Sequence, residues 1–85
     1  MKIVMYTSHS CPYCVSAERL LASRGIKNID KIFVDNSSEA LEEMINLTGR
    51  RTVPQIFIND NHVGGFDDLM AFDKQGNLEG LINNS

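Results

Sequence analysis

Two cysteines stand three positions apart in the run Cys11-Pro12-Tyr13-Cys14, and the sequence contains no others. Residues at positions i and i+3 of a helix are neighbours on its surface, with Cβ atoms about 5–6 Å apart. A disulfide needs about 3.5–4.5 Å between these atoms, and a small adjustment of a first helical turn closes that gap. The spacing therefore predicts a pair that can form and break a disulfide without rebuilding the fold.

The two thiols occupy different positions on the predicted helix. Cys14 continues the apolar stripe of Ala17 and Leu21 at the spacing i, i+3, i+7, so we expect its side chain to face the interior. Cys11 stands at the helix start, where unpaired backbone N–H groups and the positive end of the helix dipole stabilise a thiolate. We therefore predict that Cys11 is the nucleophile and that Cys14 is the buried resolving thiol.

Length, charge and apolar content limit the classes of protein that fit. The 85 residues suffice for one domain, residues 1–85, and leave no room for a second core. The 8 basic and 11 acidic residues give a net charge of −3, which disfavours nucleic acid as a partner. Neither a membrane span nor a secretory signal is visible, so we expect a cytoplasmic protein that does not bind membranes. In a reducing compartment, two cysteines indicate a catalytic or metal-binding role.

The elements around the cysteines follow from residue propensities. β-forming residues at 2–6 and 29–34 predict two strands. Between them a helix opens at Cys11-Pro12, where proline suits the first helical position. The helix is expected to end near Arg24, with Gly25 as its left-handed terminator.

A second helix is predicted from an Asn36 cap, with Glu39 completing a capping box, to Gly49. The later predicted elements are strands at 55–58 and from 62, a helix at about 67–75, and a last helical turn at 78–82. The order is β-α-β-α-β-β-α, which we assign to the α/β class. A strand–helix–strand opening implies a parallel pair joined by a right-handed crossover, in a sheet covered by helices.

Two simpler explanations of the cysteine pair are weaker. Half of a zinc site would need two more ligands, and only His9 and His62 are available as nitrogen donors, without zinc-finger spacing. Two inert core cysteines would leave Pro12, directly after Cys11 at a strand-to-helix junction, unexplained.

Three separated motifs resemble those of the dithiol glutaredoxins, especially the short bacterial ones, over about residues 2–82. They are Tyr6-Thr7 leading into Cys11-Pro12-Tyr13-Cys14, then Thr52-Val53-Pro54-Gln55, then Gly64-Gly65-Phe66-Asp67-Asp68. The resemblance implies a thioredoxin-like fold with a mixed four-stranded sheet flanked by helices. It also implies a glutathione-dependent enzyme that reduces protein disulfides and protein–glutathione mixed disulfides. Glutathione would be a co-substrate, with no tightly bound cofactor and no metal.

The resemblance further implies a glutathione groove with a cis Pro54 beside the cysteines. The backbone of Val53 would then face outward and pair with glutathione as a strand edge pairs with a peptide. The γ-glutamyl end would lie at Asp67 and Asp68, although both acids also simply favour a helix start. The residues implied to bind glutathione are Tyr13, Arg51, Thr52, Val53, Pro54, Gly65, Phe66, Asp67 and Asp68.

The sequence departs from the family pattern at two positions. Many glutaredoxins have a lysine three residues before the nucleophile, where this chain has Ser8. His9, Arg50 or Arg51 could replace that charge, and the family pattern favours Arg51. Phe66 stands where relatives often carry a cysteine, so no third thiol is available.

The partners that the resemblance implies are disulfide-containing or glutathionylated proteins, with ribonucleotide reductase as one candidate. The protein itself is expected to be a monomer. Two other functions stay open. One is a redoxin reduced by thioredoxin reductase, although such relatives lack the acidic Gly-Gly-x-Asp-Asp pattern. The other is a binding protein that shares a [2Fe–2S] cluster between two subunits, which Pro12 disfavours.

Overall fold

The structure, a computed structural model, describes residues 1–83. Its helices and strands are β1 (Ile3–Thr7), α1 (Pro12–Ser23), β2 (Asp30–Phe33), α2 (Ser38–Thr48), β3 (Gln55–Ile58), β4 (Asn61–Gly64), α3 (Phe66–Lys74) and α4 (Asn77–Asn83).

The four strands form one mixed sheet in the order β2-β1-β3-β4. β1 and β2 are parallel and are joined through α1, whereas the β1–β3 and β3–β4 pairs are antiparallel. The predicted α/β fold with a mixed four-stranded sheet is therefore confirmed. β1 is a central strand of the sheet, and the chain that leaves its carboxyl end leads into the first turn of α1.

One face of the sheet carries the main core. Ile3, Met5, Ile56 and Ile58 point to this face, because they alternate along β1 and β3 and pair across them. The helical side chains that cover them are buried and belong to the same cluster: Ala17, Leu21, Leu69 and Leu78. Burying one such aliphatic side chain contributes about 1.5–3 kcal/mol, so this layer fixes where α1 and α3 lie.

α2 covers the opposite face of the sheet and contributes one buried side chain, Met44. Tyr6 points to this face from β1, and its hydroxyl donates a hydrogen bond of 2.6 Å to Glu43 Oε1. Burial, followed by the bond to Glu43, raises the pKa of Tyr6 to about 12. The Tyr6–Glu43 bond thus ties α2 to the central strand.

The start of α2 differs from the prediction. Ser37, not Asn36, is the N-cap: its backbone is extended, and its Oγ accepts the Ala40 N–H at 3.1 Å. The capping box expected with Glu39 is therefore wrong, because the third helical residue is Ala40. The helix does end at Gly49, which has a left-handed backbone with φ of 71°.

The chain after α3 forms a full helix, α4, where only a last helical turn was expected. Gly76, with φ of 78°, allows the chain to reverse after α3, and the Gly80 N–H then donates to the Gly76 carbonyl at 2.9 Å. Leu78 is completely buried against the core. Burial of that one side chain supports a helix whose own sequence signal is weak, and the element order gains a final helix.

The other boundaries agree with the prediction to within about two residues. Pro12 is the first residue of α1, Gly25 follows its end with φ of 83°, and β3 spans residues 55–58 as predicted. Among the helices within residues 1–83, none has the length and apolar character needed to cross a membrane.

Replacing Tyr6 with phenylalanine tests how α2 is held. We expect Tyr6→Phe to lower the free energy of unfolding by about 1.5 kcal/mol, the low end for a hydrogen bond to a charged partner, because Glu43 is exposed. Urea unfolding at neutral pH measures this. Glu42→Gln, on an exposed position of the same helix, is the control and should change the value by less than about 0.5 kcal/mol. An equal loss in both variants would contradict the role given to Tyr6.

Candidate active site

Cys11 is the N-cap of α1, with an extended backbone (φ −129°, ψ 102°). Its sulfur accepts the backbone N–H of Cys14 at 3.1 Å, which is the bond that a serine or aspartate oxygen usually makes at this position. Pro12 follows as the first helical residue and has no N–H to leave unpaired. Because an anionic sulfur accepts this bond better than a neutral one, the helix start stabilises the thiolate of Cys11.

Cys14 lies behind Cys11 and is 2% exposed, whereas Cys11 is partly exposed. The predicted inward direction of Cys14 is therefore confirmed. Burial, and then the hydrogen bond with Cys11, raises the pKa of Cys14 to about 11. Cys14 is consequently a neutral thiol at physiological pH, and the accessible sulfur belongs to Cys11.

The loop before β3 forms a second wall beside Cys11. The Val53–Pro54 peptide bond is cis, as the family resemblance implied. The Val53 carbonyl lies 3.8 Å from the sulfur of Cys11 and accepts its S–H. Within residues 1–83 the Val53 N–H has no hydrogen-bond partner, so this short stretch of backbone is open to another chain.

A shallow cleft of about 260 Å³ opens next to this backbone, and its lining is Tyr13, Val53, Pro54, Phe66 and Asp67. These are five of the nine residues expected to bind glutathione. The Tyr13 ring is 64% exposed, and its centroid lies 6.3 Å from that of Phe66. A larger cleft of about 610 Å³ lies between β4, α3 and α4. The smaller cleft is the one next to the reactive sulfur, because its wall includes Val53, whose carbonyl oxygen is 3.8 Å from the sulfur of Cys11.

The start of α3 is fixed by Asp68. Its Oδ2 accepts the Gly65 N–H at 2.9 Å and the Arg50 guanidinium at 2.8 Å, and this bond from Arg50 is the main cause that lowers the pKa of Asp68. Gly64 has φ of 123°, and a side chain there would collide with Asp68. Asp67 is exposed and has no polar partner among the described residues, so of these two neighbouring acids Asp67 is the one with a free carboxylate.

The three cations considered as substitutes for the missing lysine have different surroundings. His9 Nδ1 lies 2.9 Å from Asp35 Oδ2, and Arg50 is bound to Asp68. Hydrogen bonds from His9, first from its ring and then from its backbone, lower the pKa of Asp35. Arg51 is exposed and forms no ion pair within residues 1–83, so its guanidinium is open to a ligand.

Gln55 is a residue of the site that the sequence prediction left out. It is 1% exposed, and its Nε2 donates to the Thr52 carbonyl at 3.0 Å. The signal that could have found it is a lone polar residue in the otherwise apolar strand Gln55-Ile56-Phe57-Ile58, because a buried amide requires partners. As for metals, residues 1–83 contain no group of three or more His, Cys, Asp or Glu side chains suited to binding one.

The paired thiols and the open backbone beside them, on this mixed sheet, define the class of thiol–disulfide oxidoreductases with a thioredoxin-like fold. Within that class the chain belongs to the glutaredoxin family, because the family model described as Glutaredoxin matches residues 3–63.

Individual relatives agree with this membership. The chain is 53% identical over 81 residues to a glutaredoxin of Neisseria meningitidis serogroup A, covering 95% of each chain. A crystal structure of wheat glutaredoxin matches with a TM-score of 0.87 at 33% identity, covering 100% of this chain and 82% of the other. A buckwheat glutaredoxin–glutathione complex matches with a TM-score of 0.84 at 28% identity, covering 96% and 76%.

The burial of Cys14 predicts a loss of stability at alkaline pH. In the unfolded chain the thiol ionises near its ordinary pKa of 9.0, whereas the folded value is about 11. The contribution is therefore complete below pH 9 and is lost as the pH rises through 11, with a slope of at most about 1.4 kcal/mol per pH unit.

Urea unfolding of the reduced protein between pH 8 and 12 measures this slope. Cys14→Ser should flatten the part between pH 9 and 11. Tyr6→Phe should leave the slope between pH 9 and 10 unchanged and reduce it between pH 10 and 12, because the pKa of Tyr6 is raised from 10.0 to about 12. An unchanged slope in Cys14→Ser would show that the buried thiol does not carry the effect.

Proposed function

We propose that this glutaredoxin is a glutathione-dependent thiol–disulfide oxidoreductase that reduces protein disulfides and protein–glutathione mixed disulfides. The observation that carries the proposal is the unpaired backbone of Val53 beside the sulfur of Cys11. An extended peptide that pairs with Val53 as an added strand would bring its own sulfur to Cys11. Glutathione is such a peptide, and a structural relative from buckwheat has been solved as a glutathione complex.

The charges around the cleft suit the two ends of glutathione. The free carboxylate of Asp67 suits the γ-glutamyl ammonium, and the first N–H groups of α3 suit the carboxylate at the same end. The open guanidinium of Arg51 suits the glycine carboxylate. Tyr13 and Phe66 would flank the cysteinyl part between these ends.

The other proposed groove residues act by shaping it. Pro54 is buried, and a Cβ at Gly65 would lie 3.4 Å from the Pro54 carbonyl oxygen, so α3 starts in close contact with the loop. Thr52 and Asp68 are fixed by bonds to Gln55 and Arg50.

For a glutathionylated protein we propose a cycle that needs only Cys11. Its thiolate attacks the glutathione sulfur, the mixed disulfide breaks, and the protein leaves as a thiolate that takes a proton from water. The thiolate of a second glutathione then attacks the glutathione sulfur bound to Cys11. Oxidised glutathione leaves, and the Cys11 thiolate is restored.

For a protein disulfide the cycle also needs Cys14. Cys11 attacks one sulfur and forms a mixed disulfide with the protein, releasing its other sulfur as a thiolate. Cys14 then loses its proton and attacks the Cys11 sulfur, which frees the second protein thiol and leaves a Cys11–Cys14 disulfide. Two glutathiones reduce that bond and leave as oxidised glutathione.

Serine variants of the two cysteines test this division of labour. We expect Cys14→Ser to keep the removal of glutathione from a glutathionylated peptide and to lose most reduction of a protein disulfide. Cys11→Ser should lose both activities, because no accessible nucleophile remains. Consumption of NADPH with glutathione and glutathione reductase measures both reactions, and thioredoxin reductase in place of glutathione tests the other electron source.

Equal loss of both activities in Cys14→Ser would contradict the resolving role. Activity that survives in Cys11→Ser would overturn the whole scheme, and efficient reduction by thioredoxin reductase alone would overturn the dependence on glutathione.

The neighbouring acids of α3 give a matched pair of variants. Asp67→Ala should raise the KM for a glutathionylated peptide about fivefold or more, since a charge-assisted contact is lost, with little change in unfolding. Asp68→Ala should instead lower the free energy of unfolding by about 1 kcal/mol, because the helix loses its cap. Steady-state kinetics and urea unfolding of both variants separate the effects, and the reverse pattern would exchange the two roles.

Ribonucleotide reductase as a partner, the monomeric state and the cytoplasmic location stay predictions.

A further inference from the structure

We propose that His62 and Gln55 are positioning residues of the glutathione groove, which orient the Val53 N–H toward the bound peptide. The inference rests on the proposed function and extends it to two side chains that do not line the cleft. The chain of contacts runs from the surface of the β3–β4 hairpin to the loop beside Cys11.

The first contact fixes the orientation of the buried Gln55 amide. Its Nε2 lies 3.0 Å from the Thr52 carbonyl oxygen and 3.4 Å from Thr52 Oγ1. A carbonyl oxygen only accepts, so the amide must present its NH2 group to Thr52. The Oε1 atom of Gln55 is therefore directed away from the loop and needs a donor of its own.

His62 supplies that donor. Its Nε2 lies 2.8 Å from Gln55 Oε1, and because this oxygen only accepts, the proton must be on Nε2. The ring is held by Phe57, whose centroid lies 5.0 Å away. His62 thus favours one orientation of the Gln55 amide, since the flipped amide would place NH2 against the Nε2–H and oxygen against the Thr52 carbonyl.

This contact does not depend on the protonation of His62. Burial, and then the charge of Arg50, lowers the pKa of the ring, while Asp68 opposes them. The Nε2–H is present in the Nε2-protonated neutral ring and in the cation, so the donor to Gln55 persists in both. The arrangement is a fixed support and not a pH switch.

The effect on the groove follows from the geometry of one peptide unit. The Thr52 carbonyl and the Val53 N–H belong to the same peptide group, which is planar, and in its trans form they point in opposite directions. When Gln55 holds the carbonyl toward the protein, the Val53 N–H is directed the other way. That N–H is without a partner in the described residues and borders the cleft.

Two substitutions at His62 separate the hydrogen bond from the ring contact. His62→Phe keeps an aromatic ring on Phe57 and removes the donor. His62→Gln removes the ring and places an amide nitrogen the same number of bonds from the backbone. Asn61→Ala, on an exposed position of the same strand, is the control for changes in the hairpin.

Steady-state kinetics on a glutathionylated peptide are the main measurement. In His62→Phe we expect the KM to rise about tenfold, with kcat nearly unchanged. A tenfold rise corresponds to the binding free energy lost with one neutral hydrogen bond that orients a binding group. His62→Gln should return the KM to within about twofold of the wild-type value. The rate of Cys11 alkylation by iodoacetamide should be the same in all three variants and the wild type.

Exchange of the Gln55 side-chain amide protons, followed by NMR without glutathione, gives a readout besides activity. It should be slow in the wild type and in His62→Gln and faster in His62→Phe. An unchanged KM in His62→Phe, or an equal rise in both His62 variants, would overturn the inference. A wild-type protein with no glutathione-dependent activity would overturn the proposed function and with it the role in the groove, whereas slow amide exchange in that protein would still show that His62 fixes the Gln55 amide.

Discussion

The register between β1 and β3 is the constraint on which the site depends. Met5 pairs with Ile56 and points into the main core, so Tyr6 and Gln55 must point to the other face. A slip of one residue would turn the core side chains of β3 to the wrong face, and the loss of that burial excludes it. Because β3 is held in this register, the loop that precedes it arrives where β1 ends, and there the first turn of α1 presents Cys11.

The sequence predicts much of this architecture because its signals are local. Proline and glycine mark both ends of α1, and β3 has the bounds that its residues indicate. Two features depend on distant packing and escaped prediction. Positions 36–38 read Asn-Ser-Ser, and all three residues can cap a helix, so the choice of Ser37 depends on where the chain leaves β2. α4 is short and depends on the burial of Leu78 against a core assembled by other elements.

The features of the site also fall into those that local sequence patterns predict and those that depend on distant contacts. Helical periodicity was enough to predict that Cys14 faces inward. The cis bond before Pro54 came from the family resemblance, since an X–Pro sequence by itself favours the trans form. Asp67 and Asp68 are equivalent in sequence, and what distinguishes them is Arg50, which reaches Asp68 from 18 positions earlier. Such a contact leaves no local pattern, and neither does the contact of His62 with Gln55.

The sulfur cap of α1 also has a consequence for the electrochemistry of the pair. The bond from the Cys14 N–H stabilises Cys11 most strongly as an anion, a form that exists only when the pair is reduced. Any interaction that favours the reduced form over the disulfide makes the disulfide a stronger oxidant. The buried thiol of Cys14 gains no such help, since burial opposes its ionisation. This contribution to the midpoint potential comes from a backbone amide, so it does not depend on which side chain stands at position 14.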